Sequence, residues 1–68
     1  MDKNMLALAD VVKHKTLGTV SYQGIDKTLK DDEIFVRDIM WILHIVYASD
    51  CDTASIEDAD KYWRRNKQ

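Results

Sequence analysis

Residues 34 to 49 read IFVRDIMWILHIVYAS, and the conformation given to this stretch decides the fold. Only Arg37, Asp38 and His44 interrupt a run of large apolar side chains, and the run is too long for one strand of ordinary length. Wound as a helix, it places Arg37, Trp41, His44 and Ala48 along one line and apolar residues in every other direction. A helix that is apolar nearly all round is a buried helix. Each large apolar side chain gains roughly 1.5–3 kcal/mol on burial, so leaving ten of them half exposed would forfeit on the order of 10 kcal/mol. That is comparable to the whole stability of a small domain.

Working outward, the rest of the chain supplies little cover. Met5, Leu8, Ala9 and Val12 recur at helical spacing, so a first helix is expected over about residues 3–16, ended by Gly18. TVSYQ (19–23) alternates like a strand, but without a visible ladder partner residues 19–25 are expected to form an extended connector ending near Gly24. Thr28 with Asp31 has capping-box spacing, and Asp31, Asp32 and Glu33 suit the N-terminus of a helix over about 31–48. After the polar turn SDCDTAS, Ser55 with Asp58 opens a third helix over about 55–66, acidic first and basic last (Lys61, Arg64, Arg65, Lys67). The expected fold is therefore all-α: three helices, an extended connector and a buried central helix, in one domain spanning residues 1–68.

At 68 residues and 7.9 kDa the chain is near the lower limit for folding alone. The single Cys51 allows no internal disulfide, which leaves association as the remedy for a small core. The expectation is a homodimer with the central helix near a two-fold axis and Phe35, Ile39, Ile42, Leu43 and Val46 at the interface. The rival is a monomer in which the connector and Trp63 complete the cover.

Composition excludes several classes. A formal charge of −2 gives no general attraction to nucleic acid or anionic membrane. A membrane span needs about 20 apolar residues, and here Arg37 and Asp38 break a run of about 15, so no membrane insertion is expected. The N-terminus lacks a signal-peptide layout, and one unpaired thiol suits a reducing compartment, so the cytoplasm is expected.

No catalytic, cofactor or metal residue is expected. Cys51 has acidic neighbours that blunt a thiol, while His14 falls on the outer side of the first helix and His44 on the least apolar line of the second. DCDTASIEDADK imitates a calcium loop but carries Ser55 where glycine is needed and Lys61 where a bidentate Glu is needed. Asp31, Asp32 and Glu33 splay about 100° apart on a helix and do not converge. There is no Gly-rich phosphate loop, HExxH or nucleophile elbow.

Two functions remain. One is a non-enzymatic protein-interaction module that docks on a larger protein as regulator, inhibitor or assembly factor. Its contacts would come from Arg37, Trp41 and His44 and from the tail residues Tyr62, Trp63, Arg64 and Arg65, since Trp, Tyr and Arg are enriched in binding hot spots. The other is a dimeric helix-turn-helix DNA binder using helix 55–66 and the basic tail. Glu57, Asp58 and Asp60 oppose it, because they occupy the end of the helix that would meet phosphates.

Overall fold

In a computed structural model of the chain, residues 1–66 are described. Five strands precede one helix: β1 (Val11–His14), β2 (Gly18–Gly24), β3 (Glu33–Arg37), β4 (Leu43–Tyr47), β5 (Cys51–Thr53) and α1 (Ile56–Arg65). Single 3-10 turns occupy Lys3–Met5 and Ala48–Asp50. The strands form one antiparallel sheet in the order β4-β3-β2-β1-β5. The all-α expectation is thus overturned, and only the C-terminal helix exists among the three expected.

The deciding stretch is a hairpin. Asp38 folds it back on itself, and β3 and β4 pair from Glu33 opposite Tyr47 to Arg37 opposite Leu43. Ile34 and Val36 point inward and are fully buried, while Phe35 and Arg37 point outward. On β4, His44 and Val46 point inward and Leu43, Ile45 and Tyr47 outward. The side chains are large and apolar on both faces, which hides the period of two that marks a strand. There is consequently no buried central helix, and the case for a dimer built on one falls with it.

The expected first helix is replaced by the 3-10 turn and β1. Met5 and Leu8 of its supposed apolar stripe are largely exposed, whereas Val12 is buried in the sheet. The expected connector is the central strand. β2 pairs with β1 on one side and β3 on the other, so TVSYQ has two ladder partners, not none. Val20, Ser21 and Tyr22 are all buried because both faces of β2 are covered. Gly18 closes the β1–β2 hairpin with φ +78°, a left-handed position suited to glycine. The His14 ring stabilises that turn, its Nδ1 accepting from the amides of Thr16 (3.2 Å) and Leu17 (3.1 Å).

β4 and β5 lie at opposite edges, yet only Ala48–Asp50 joins them. Four strand spacings in a flat sheet would separate them by about 19 Å. Three residues in a 3-10 turn rise only about 6 Å. The sheet is therefore coiled into a small, partly open barrel. Asp32 secures the closure: its carbonyl accepts from the Ala48 amide (2.8 Å) and its carboxylate from the Ser49 amide (3.2 Å). Hydrogen bonds from Ser49 hold the Asp32 carboxyl below the usual carboxylate range. Asp31, Asp32 and Glu33 do not cap a helix: Asp32 takes φ +69°, and Glu33 opens β3.

Val12, Val20, Tyr22, Ile34, Val36, Ala48 and Cys51 form the core inside the coil, with Met1, Leu6, Leu17 and Val46 against it. α1 packs on the outside. Ser55 caps it, its hydroxyl accepting from the Asp58 amide (3.0 Å), and Asp58 pairs with Lys13 of β1 (3.3 Å). The fully buried Tyr62 joins the helix to the sheet, donating its hydroxyl to the Arg37 carbonyl (2.9 Å). Lys67, the last of the basic residues, lies outside the described residues.

Candidate protein-docking site

Asp38 builds the β3–β4 turn. One carboxylate oxygen accepts from the amides of Met40 (2.8 Å) and Ile42 (3.1 Å), and the other lies 2.7 Å from His44 Nε2. Burial would raise this carboxyl, but the hydrogen bonds from His44, Ile42 and Met40 outweigh it and hold the group below its ordinary range. The turn has no glycine, so Trp41 takes the left-handed position with φ +66°. For a bulky residue that backbone conformation costs on the order of 1 kcal/mol, and the indole is left partly exposed.

Around that indole the elements converge. The Arg37 guanidinium lies over the Trp41 ring at 5.1 Å and donates to the Trp41 carbonyl (2.8 Å). Trp63 of α1 approaches Trp41 at 6.4 Å between ring centroids, and Tyr62 meets Trp63 edge-on at 5.1 Å. Arg65 reaches across to the Met40 sulfur (3.3 Å). The result is a partly exposed Trp41–Trp63 ridge clamped by arginines. Arg37, Trp41, Trp63 and Arg65, singled out from two distant parts of the sequence, are brought together here, whereas Tyr62, expected as a contact residue, is fully buried and cannot meet a partner. Arg64 points elsewhere and pairs with Asp60 (3.0 Å). His44 is held by Asp38, and by the alternation of β4 it lies on the opposite side of the strand from Leu43 and Ile45.

Beside the ridge, the outer face of β4 is bare. Leu43, Ile45 and Tyr47 are 47, 54 and 51% exposed, and Ile39, Met40 and Ile42 in and beside the turn are exposed as well. Half-buried Phe35 on β3 stands opposite Ile45 and continues this surface. Of the residues expected at a dimer interface, Phe35 and Leu43 lie on this outer face and Ile39 and Ile42 are exposed in and beside the turn, whereas Val46 packs inward against the core. Ile45, Tyr47, Met40 and the organising Asp38 were missed as site residues. The available signals were the L-x-I-x-Y spacing of one strand face and an Asp placed to nucleate a turn.

Other constellations are engaged internally. His14 and Cys51 are cross-strand neighbours on β1 and β5, and His14 is buried, contrary to its expected place on an outer helix face. Burial pushes the Cys51 thiol up, and its Sγ donates to the Tyr47 carbonyl, so it is no ready nucleophile. A depression of about 370 Å³ over the β1–β2 hairpin is lined by Lys13 and Lys15 but also by Asp50 and Asp52, with Lys15 and Asp50 paired at 3.2 Å. Among the described residues, no three His, Cys, Asp or Glu side chains converge to hold a metal ion, and no helix is long and apolar enough to cross a membrane. Among the described residues there is one α-helix, so they form no helix-turn-helix. No protein-family model, curated protein or solved structure matches the chain.

Proposed function

We propose that this chain is a non-catalytic protein-interaction module of a reducing, cytoplasmic compartment. It acts as a regulator, inhibitor or assembly factor by docking on a larger protein, and it does so as a homodimer. The contacts are made by the Trp41–Trp63 ridge and the outer face of β4. One observation carries the reading: Trp41, Trp63, Leu43, Ile45 and Tyr47 lie together with 38–54% of each left in solvent. With the exposed turn residues Ile39, Met40 and Ile42 they leave a large apolar surface in solvent, where a standard interface takes about 800 Å² from each partner. Monomers rarely leave a continuous apolar patch that large without a use for it. Arg37 and Arg65 frame it, which suits a partner whose apolar contact is rimmed with acidic groups.

Cross-linking followed by capture tests this, with the wild-type chain and a Trp41→Ser, Leu43→Ser double variant compared in parallel. A specific protein held by the wild type and lost from the variant, at unchanged far-ultraviolet circular dichroism, supports the docking face. A protein held equally by both places the contact elsewhere.

A further inference from the structure

We infer that β4 pairs edge to edge with β4 of a second copy, joining two sheets across a two-fold axis at Ile45. This rests on the docking face proposed above and names one occupant of it. Among the described residues β4 is an edge strand, so one row of its backbone groups has no strand hydrogen-bonded beside it. The register says which row. The Asp38 amide donates to the Ile42 carbonyl, and the Ala48 amide to the Asp32 carbonyl. Those are the two ends of an uninterrupted β3–β4 register. Hydrogen-bonded and non-hydrogen-bonded pairs alternate along an antiparallel ladder. Between the two ends, His44 and Val46 are therefore bonded to β3, and the N–H and C=O groups of Leu43 and Ile45 and the N–H of Tyr47 face the open edge; the Tyr47 carbonyl, which also turns that way, takes only the weak donor Cys51 Sγ at 3.7 Å and keeps a lone pair for an amide.

Natural edge strands carry charges, proline or bulges that discourage pairing. LHIVY has no proline and no permanently charged residue, and its register against β3 is unbroken. Its outward row is also self-complementary. With Ile45 opposite Ile45 of the second copy, Leu43 of each strand falls opposite Tyr47 of the other, an apolar–aromatic pairing that stabilises sheets. The flanking charges agree. Arg37 stands beside Leu43 and Glu33 beside Tyr47, so antiparallel pairing sets the basic end of one hairpin against the acidic end of the other. Parallel pairing would set like against like. The opposed charges stand about 14 Å apart across three strand spacings, far enough to select orientation without supplying most of the affinity.

The test is a concentration series from micromolar to millimolar, followed by light scattering and by amide hydrogen exchange. Pairing predicts a doubled mass together with new protection at Leu43, Ile45 and Tyr47 only. The amides of His44 and Val46, bonded to β3, should be protected at every concentration. Ile45→Lys should raise the dimer dissociation constant about 100-fold or more, by placing two lysines face to face on the axis. Independently, Ile45→Cys should form an intermolecular disulfide under mild oxidation, because hydrogen-bonded cross-strand positions lie about 5.5 Å apart. A dimer in which the three amides exchange freely would overturn edge pairing in favour of packing between faces. A monomer at all concentrations, with Ile45→Cys remaining a thiol, would overturn self-pairing altogether. The Trp41→Ser, Leu43→Ser capture result would still decide the docking face separately.

Discussion

Replacing Tyr62 by phenylalanine isolates the hydroxyl that fastens α1 to the sheet. Tyr62 is fully buried, and its hydroxyl donates to the Arg37 carbonyl at 2.9 Å. Phenylalanine keeps the ring, its packing and its edge-on contact with Trp63, and removes only the donor. A net hydrogen bond is worth about 0.5–1.5 kcal/mol, and a buried acceptor left without a partner costs about 1–3 kcal/mol, so a loss of about 1–2 kcal/mol is expected. A chain of this length has a total stability of roughly 3–10 kcal/mol. Each kcal/mol moves the melting temperature of a domain this size by about 4–8 °C, so Tyr62→Phe should lower Tm by about 5–15 °C. Tyr62→Ala also removes the ring, costs about 3–5 kcal/mol and should leave the chain largely unfolded. Tyr47→Phe, on the half-exposed outer face of β4, is the control and should stay within about 0.5 kcal/mol of wild type. Thermal melts by circular dichroism with parallel urea titrations read all three. A Tyr62→Phe melt indistinguishable from wild type would refute the claim that this hydroxyl couples helix to sheet.

Asp38→Asn should open the β3–β4 turn at a cost of about 1–2 kcal/mol and shift the emission of Trp41, since two amides and His44 lose a charged acceptor. The Asp38 carboxyl is held low in the folded state. Its stabilisation is therefore complete above the ordinary aspartate value near about 3.9 and is lost as pH falls through the lower folded value. An acid titration of tryptophan fluorescence should show that loss in wild type and not in Asp38→Asn. The Tyr62 hydroxyl is raised by burial and by the nearby Asp38 charge. Its contribution should persist up to the ordinary tyrosine value of about 10 and decline above it, as followed by ultraviolet absorbance during alkaline unfolding. Ser55→Ala removes the α1 cap and should cost about 1 kcal/mol in the same melts. The Cys51 thiol should react with a disulfide reagent at the rate of unfolding or opening and not at the rate of a free thiol.

The sequence made α1 legible because local rules alone specify it. Ser55 caps, Asp58 answers, and the charges run acidic to basic. The sheet was hidden by the outer face of β4, where Leu43, Ile45 and Tyr47 are apolar although exposed, so alternation vanished and the segment resembled an all-round apolar helix. The turn was hidden as well, because Trp41 and not glycine or asparagine takes its left-handed position. TVSYQ was recognisably strand-like, but with both of its neighbours read as helices it had no ladder to join. Arginine and tryptophan chemistry marked Arg37, Trp41 and Trp63 whatever their backbone, and the fold brings these three together by a route that helical spacing did not describe.

The three-residue link at Ala48–Asp50 has a kinetic consequence. Pairings of β1 with β2, β2 with β3 and β3 with β4 join chain neighbours, whereas β1 with β5 joins residues such as Val12 and Thr53 that are far apart in sequence. Loop closure over that separation is the slow, entropically costly event in forming such a sheet. The meander should assemble first and the link should latch afterwards, so substitutions in β5 would chiefly accelerate unfolding, and those in the β3–β4 hairpin would retard folding.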